Sequence, residues 1–415
     1  MNTLARLREL QAKYDGYCAM HLDLDMSRGK PGPDQLDLTL GLLDCVNSHS
    51  VYTAENGMDV RNYGGLVGIP EARRLFGDLL GVPPEMVIVG GNSSLNLMYD
   101  YIATAWSKGV AGHEPWCRQG AVKFLCPVPG YDRHFAITEY FGIEMVDVPM
   151  TETGPDMDLV EQLIADPLVK GMWCVPMYSN PTGVTYSDET VRRLAAMKPA
   201  APDFRVMWDN AYCVHHLTDK PDTLLNVFYE AVEHHNEDMF IAFTSTSKIS
   251  FPGAGLAALA ASERNLLDVL SRLSKQIISY DKLNMLRHLR FFGDVKGVWE
   301  HMQKQAAVLR PKFEVVLSTL ERRLGELGIA SWHRPAGGYF VCVEVPGCAS
   351  EIIRLLREAG VKMTEAGAPY PYHKDPRDST IRIAPTYPSV AELTQAMELF
   401  CLCTELAWLK KAENA

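Results

Sequence analysis

The sequence lacks any long apolar run, any paired cysteine motif and any excess of basic charge. Without a stretch approaching the roughly 20 apolar residues of a bilayer span, no membrane segment is expected. Residues 1–10 set Arg6, Arg8 and Glu9 among Leu4, Leu7 and Leu10 at helical spacing, which suits an amphipathic helix and not the unbroken apolar segment of a signal peptide. The ten cysteines are scattered, and Cys126, Cys174 and Cys342 fall inside apolar runs. They read as reduced core residues of a cytosolic protein, so a cytoplasmic location is expected. Cys401 and Cys403, two positions apart, suit a zinc site poorly. The adjacent pairs His215-His216 and His234-His235 face different sides of a helix or strand, so solvated histidines are expected and no metal. With 40 Lys+Arg against 51 Asp+Glu, the formal net charge is -11. A surface of that sign repels phosphates, which argues against nucleic acid or an anionic membrane as a partner. No internal repeat or low-complexity segment is visible.

What is present can bury a large core. The 415 residues, 47% hydrophobic and 22% charged, suit two domains or a large domain with a smaller partner. The chain is organised around Lys248. The apolar run 239–243 reads as a short buried strand, followed by Thr244-Ser245-Thr246-Ser247-Lys248 and the loop Pro252-Gly253-Ala254-Gly255. A lysine at such a strand end is costly to keep charged, so its pKa should fall and its amine become a nucleophile. Taken alone, a surface lysine on a turn explains the same residues.

Residues 22–26 form an extended segment that breaks at Ser27-Arg28-Gly29-Lys30-Pro31-Gly32. This is either a solvated turn or a loop offering N–H groups and positive charge to an anion. Tyr63 lies in the glycine-rich loop Arg61-Asn62-Tyr63-Gly64-Gly65, ahead of a helix opened by Pro70 and Glu71. A strand at 86–89 leads into Gly90-Gly91-Asn92-Ser93-Ser94 and a helix. Exposed N–H groups at the positive end of a helix dipole suit a phosphate, although the same residues also make an ordinary N-cap.

Strands at 122–126, 143–148, 171–175, 204–208, 239–243 and 256–260 then alternate with helices, one over 132–141 and another ending at 195. Near-continuous apolar strands of this kind predict an α/β fold with a mostly parallel sheet sandwiched by helices. Ligands of such sheets bind beyond the carboxyl ends of the strands. From 291 onward a long polar helix over 298–327, strands at 329–332, 337–345 and 380–384, and a last helix over 390–409 predict a smaller α+β domain.

Four features occur in one order: Ser179-Asn180-Pro181-Thr182-Gly183, Asp209-x-x-Tyr212, Ser245-x-Ser247-Lys248 and Ile381-Arg382-Ile383. Over nearly the whole chain this resembles the fold type I pyridoxal phosphate enzymes, specifically the class I aminotransferases. Arg28-Gly29-Lys30-Pro31, Asn92-Ser93-Ser94-Leu95 and Ser247-Lys248-Ile249 with Gly253-Ala254-Gly255 after it are similar to the divergent bacterial aspartate aminotransferase subgroup often called Ic. The resemblance implies a large pyridoxal phosphate-binding domain over 51–290, with 1–50 and 291–415 together making the small domain.

It also implies roles. Lys248 holds the aldehyde of pyridoxal 5'-phosphate covalently and later moves a proton between substrate and cofactor carbons. Asp209 pairs with the pyridinium nitrogen. Tyr212 and Asn180 donate to the phenolic oxygen, Tyr131 stacks on the ring and His134 supports Asp209. Ser245, Ser247, Asn92, Ser93 and Ser94 hold the phosphate, which Tyr63 reaches from a neighbouring subunit, so a homodimer is expected. Arg382 takes the substrate α-carboxylate, joined by the Gly29 N–H and Asn180. The residues by themselves also allow plainer readings: a helix cap for Asp209, an ordinary turn at Asn180-Pro181-Thr182-Gly183, a surface histidine at 134.

One position departs from the family pattern. Eight residues after the lysine, where the family places a phosphate-neutralising arginine, stands Leu256. A helix dipole, Lys282 or Arg290 is expected to compensate. For a distal substrate carboxylate the candidates are Lys30, Arg28 and Lys282, in that order. The implied activity is transfer of the amino group of aspartate to 2-oxoglutarate by a ping-pong route, with amino acids and 2-oxo acids as the partners. A β-lyase or a cyclopropane-forming synthase would reuse the same cofactor shell. A cofactor-sensing transcription regulator is disfavoured, because the resemblance begins near Leu22 and leaves no room for a winged-helix module, and Lys248 disfavours a non-catalytic metabolite-binding protein.

Overall fold

In the computed structural model, which describes residues 3–413, β1 (Leu24–Asp25) precedes eight strands. These are β2 (Val87–Val89), β3 (Lys123–Val128), β4 (Glu144–Thr151), β5 (Gly154–Pro155), β6 (Val169–Cys174), β7 (Arg205–Asp209), β8 (Phe240–Ser245) and β9 (Ala257–Ala261). They form one sheet in the order β2-β9-β8-β7-β6-β3-β4-β5. The stretch from β8 to β4 is parallel throughout, whereas β9 runs antiparallel to both of its neighbours and β5 antiparallel to β4.

Every residue of β6, β7, β8 and β9 is buried, so both faces of the sheet must be covered. Alternation along β8 divides its side chains: Phe240 and Ala242 enter one core cluster, with Phe76 and Trp208, while Ile241 and Phe243 enter another, with Phe124 and Trp173. The helix Ser94–Lys108 starts where its sequence says it should, with Ser93 accepting a hydrogen bond from the Asn96 N–H.

Four short strands follow: β10 (Ser331–Trp332), β11 (Val341–Glu344), β12 (Val361–Lys362) and β13 (Thr380–Ile383). β10, β11 and β13 make an antiparallel sheet, and β12 pairs with β1. In this α+β part Leu7 and Leu10 of the first helix join Phe313, Val341 and Phe400 in one core cluster, which also takes in Val175, Tyr178 and Tyr212 from beside the large sheet. The long helix spans Val295–Leu324, three residues earlier than expected from sequence. It is not polar all round: Leu309, Phe313, Val316, Leu320 and Leu324 form a buried stripe, which the charged residues on its other faces disguise in a linear reading. The last helix runs on to Glu413 and buries Cys401 and Cys403. Among the described residues all ten cysteines are free, no group of His, Cys, Asp or Glu has metal-holding geometry, and no helix is long and apolar enough to cross a membrane.

For the site, the decisive pairing is parallel β7 on β8, which sets Asp209 opposite Phe243. The carboxyl ends of both strands therefore open side by side, with the turn carrying Lys248 next to Asp209.

Candidate active site

Thr246 shapes the turn that presents Lys248. Its N–H donates to the Leu256 carbonyl at 2.7 Å, its Oγ1 accepts from the Leu256 N–H at 2.8 Å, and its own carbonyl accepts from the N–H groups of Ile249 and Ser250 at 2.9 and 2.8 Å. Leu256 is thereby locked by its backbone, and its side chain packs into the core behind the sheet. A guanidinium there would be buried among apolar groups. Beneath the turn, His288 Nδ1 donates to the Asn284 carbonyl and Nε2 accepts from Ser250 Oγ, both at 2.8 Å. Burial pushes the His288 pKa down to about 4, which keeps the ring neutral and able to accept.

Lys248 projects from this turn into a cavity of about 670 Å³. The amine is half-buried. Burial holds its pKa below the ordinary lysine value; Asp209 opposes that fall and Arg382 adds to it. Nζ stands 5.1 Å from the centre of the Tyr212 ring and 5.9 Å from that of Tyr339. Burial likewise pushes the Tyr212 phenol well above its ordinary value, so at neutral pH it is a donor.

Asp209 forms another wall of the cavity. Its Oδ2 lies 3.0 Å from His134 Nε2, and its Oδ1 is buried with no hydrogen-bond partner among the described residues. His134 cannot swing away, because it stacks on Trp173 at 4.3 Å between centroids, and the Trp173 indole donates to Thr138 Oγ1 at 2.8 Å. A buried carboxylate oxygen left without a donor is costly. Here it is the group that a protonated ring nitrogen in the cavity would satisfy, so the residues fit pyridoxal phosphate. Tyr131 lines the cavity beside them and meets His134 edge-on at 4.8 Å; burial pushes its pKa up to about 12.

Opposite lies Arg382 on β13. It donates to Asp132 Oδ1 at 3.1 Å, Asn180 Oδ1 at 3.2 Å and Thr364 Oγ1 at 3.1 Å, with its Nε buried and unpartnered. The bond to Asn180 Oδ1 turns that amide's nitrogen away from the arginine. The guanidinium also packs over the Phe340 ring, 4.9 Å from its centre. Gly29 approaches the same ring so closely that a Cβ would collide with it, which is the physical reason for glycine here. At the other end Ser93, Ser94, Ser245 and Ser247 line the cavity, with Ser245 Oγ donating to Ser247 Oγ at 3.0 Å.

Lys248, Asp209, Tyr212, Tyr131, Asn180, Arg382, Gly29 and these four serines thus share one cavity, and His134 stands directly behind Asp209. Asn92 lies just outside, its amide donating to the Gly253 carbonyl at 3.3 Å. Tyr63 is 76% exposed and belongs to no wall of the cavity. Lys30 is turned elsewhere: the Thr386 hydroxyl fixes its carbonyl at 2.9 Å, and its ammonium rests over the Tyr387 ring at 3.8 Å. Lys282 donates to the carbonyls of Asn62 and Gly64, pinning the Tyr63 loop, and Arg290 donates to those of Cys45 and Val51. Neither lines the cavity.

The expectation of solvated histidines fails at His215. The turn after Asp209 folds back and buries this ring between Tyr212 and Tyr339, at 5.5 and 5.7 Å, where burial and the neighbouring Lys248 push its pKa down to about 3. His216 stacks on Trp299, while His234 and His235 are exposed. Sequence reasoning missed Asp132, Arg133 and Thr364. The first two follow Tyr131 directly and were legible as the first turn of a helix, whereas Thr364 carries no motif. Arg28 and Arg133 both line the cavity rim, and neither meets a carboxylate among the described residues.

Comparison with known proteins agrees with this geometry. The family model described as "Aspartate amino-transferase" matches residues 2–414. A Corynebacterium glutamicum protein named aspartate aminotransferase is 47% identical over 401 residues, covering 96% of this chain and 93% of its own length. The crystal structure of an aspartate transaminase from Corynebacterium glutamicum superposes with a TM-score of 0.96 at 46% identity, over 99% of this chain and 97% of that one. At 19% identity, the α-aminoadipate aminotransferase LysN of Thermus thermophilus, solved with N-(5'-phosphopyridoxyl)-L-leucine, shares the fold with a TM-score of 0.74, over 99% of this chain and 96% of that one. From its cavity outward, this chain belongs to the aspartate aminotransferase family of fold type I, whose cofactor is pyridoxal 5'-phosphate.

Proposed function

We propose that this protein is a pyridoxal phosphate-dependent aminotransferase that moves the amino group of aspartate to 2-oxoglutarate, yielding oxaloacetate and glutamate in two half-reactions. The observation that carries this reading is the buried, unpartnered Oδ1 of Asp209, a residue that lines one cavity with Lys248 and Arg382. When bound, the cofactor supplies an electrophilic aldehyde carbon and a ring that accepts electrons. Lys248 would hold that aldehyde, and its amine, once freed, would take the proton from the substrate α-carbon. The lowered lysine pKa favours the neutral form this requires. Asp209, held in place by His134, would keep a proton on the ring nitrogen. Tyr131 would pack against the ring, and Tyr212 and the Asn180 amide would donate to its phenolic oxygen. The serines at 93, 94, 245 and 247 and the N-terminus of the helix Ser94–Lys108 would receive the phosphate.

Arg382 and the Gly29 N–H take the α-carboxylate. We assign the distal carboxylate to the rim pair Arg133 and Arg28 in place of Lys30, because only the arginines line the cavity. The exposed Tyr63 suits a site that a second copy completes, which supports a homodimer. The clustering of Leu7 and Leu10 with Phe313, Val341 and Phe400 supports a small domain made of 1–50 and 291–415 beside a large one over 51–290. Ten free cysteines support a reducing, cytoplasmic setting. The test is the purified, cofactor-loaded protein given aspartate and 2-oxoglutarate: glutamate and oxaloacetate should form together. Release of pyruvate and ammonia without any oxo acid would move the protein to the β-lyase reading.

A further inference from the structure

A line of buried amides behind the cavity takes no part in the chemistry above. Gln35, fully buried in the short helix Pro33–Asp37, accepts from the Gly32 N–H at 3.3 Å through Oε1. Through Nε2 it donates to Gln305 Oε1 at 2.8 Å and to the Tyr339 hydroxyl at 3.0 Å. The Tyr339 hydroxyl, on a residue 1% exposed, donates in turn a long hydrogen bond to the Lys248 carbonyl at 3.5 Å. Gln305 Nε2 reaches the next carbonyl, that of Ile249, at 3.4 Å, and His301 Nε2 reaches the same oxygen at 2.9 Å.

The orientation of the Gln35 amide is determined. Turned over, its NH2 group would face the Gly32 N–H and its oxygen would face Gln305 Oε1, which sets donor against donor and acceptor against acceptor. One end of the line is therefore Gly32, the close of the loop whose Ser27, Arg28 and Gly29 line the cavity. The other end is the peptide carbonyl of Lys248 itself. Tyr339 is also the chain neighbour of Phe340, the ring that packs on both Gly29 and Arg382. Two consecutive residues thus hold the two halves of the site, one gripping the lysine's backbone and the other the carboxylate-binding side.

We propose that Gln35 and Tyr339 are positioning residues for the aminotransferase reaction, a buried amide–phenol relay that fixes the Lys248 backbone against the substrate loop. The inference rests on the function proposed above. Networks of this kind act as a unit, so removing either member should release the same constraint.

The test uses the cofactor-loaded protein and two variants, Gln35→Leu and Tyr339→Phe, the latter removing a single oxygen so that folding is retained. In each, kcat should fall by about tenfold with KM for aspartate changed less than about threefold, as expected when a proton-transferring amine is misplaced. The kinetic isotope effect with aspartate deuterated at the α-carbon should rise, and the pH midpoint of the visible band of the lysine-bound cofactor should move. The double variant should resemble either single one. If both variants lose thermal stability yet keep kcat, isotope effect and band midpoint, the residues are structural only and the proposal is overturned. If the unsubstituted protein shows no band sensitive to borohydride, the aminotransferase reading itself fails and the relay with it.

Discussion

His134 Nε2 lies 3.0 Å from Asp209 Oδ2, so the histidine occupies one carboxylate oxygen and leaves the other to the cavity. The two residues are therefore not equivalent. Asp209→Asn removes the charge that would hold a proton on the cofactor ring, and kcat should fall on the order of 100- to 1,000-fold, the scale seen when a preorganised electrostatic partner is lost. His134→Asn loosens only the orientation of that charge and should cost about tenfold, because Asp209 keeps its charge. Steady-state kinetics of the two variants check the ranking. Equal losses would mean that His134 does more than orient.

Lys248 makes a sharper demand. Lys248→Ala should abolish turnover and remove the visible band of a lysine-bound cofactor, while cofactor still binds through the serine end. Lys248→Arg keeps a cation of similar length but offers no amine that can become neutral at a working pH, so both the covalent hold and the base are lost and activity should stay at background. An unchanged absorbance spectrum in Lys248→Ala would sink the assignment.

Much of this site was legible in the sequence because its residues sit at the carboxyl ends of parallel strands, where local motif and position coincide. Asp209 closes β7, and Ser245 closes β8 just ahead of Lys248; both follow apolar runs that any reading of periodicity finds. What was hidden depends on long-range packing. His215 follows Tyr212 by three residues, yet nothing local says that the turn folds inward and buries it. Lys30 looked like a selector because it is charged and near Gly29, but a contact with Thr386, over 350 positions away, turns it onto Tyr387. Thr364 reaches Arg382 only because β12 pairs with β1 and carries the following residues over the cavity.

The cavity's arginines separate by function. Arg382→Ala should raise KM about 10- to 100-fold for aspartate and alanine alike, the loss expected for one charge-assisted pair to a shared α-carboxylate. Arg133→Ala should raise KM for aspartate and 2-oxoglutarate by about tenfold and leave alanine unaffected. Lys30→Ala should discriminate between neither. Parallel KM measurements on the two amino acids decide the matter, and a selective effect of Lys30 with none from Arg133 or Arg28 would reverse the assignment of the distal site.

His288 gives the fold a pH dependence whose sign can be worked out. Its pKa is about 4 in the folded protein, below the ordinary histidine value near 6.5, because it is fully buried and its Nε2 must stay free to accept from Ser250. Between those two values the unfolded chain binds a proton that the folded chain does not. Stability from this group is therefore present above about pH 6.5 and is lost as pH falls towards 4, with no further loss below. From pH 7 to pH 5 the loss amounts to about 2 kcal/mol. His288→Gln keeps an acceptor near Ser250 but cannot titrate. It should be less stable than the parent at pH 7, and the gap should narrow by about that amount at pH 5, as read from urea unfolding at both values. A gap that stays constant between the two would show that His288 titrates in the folded protein as it does in the unfolded chain.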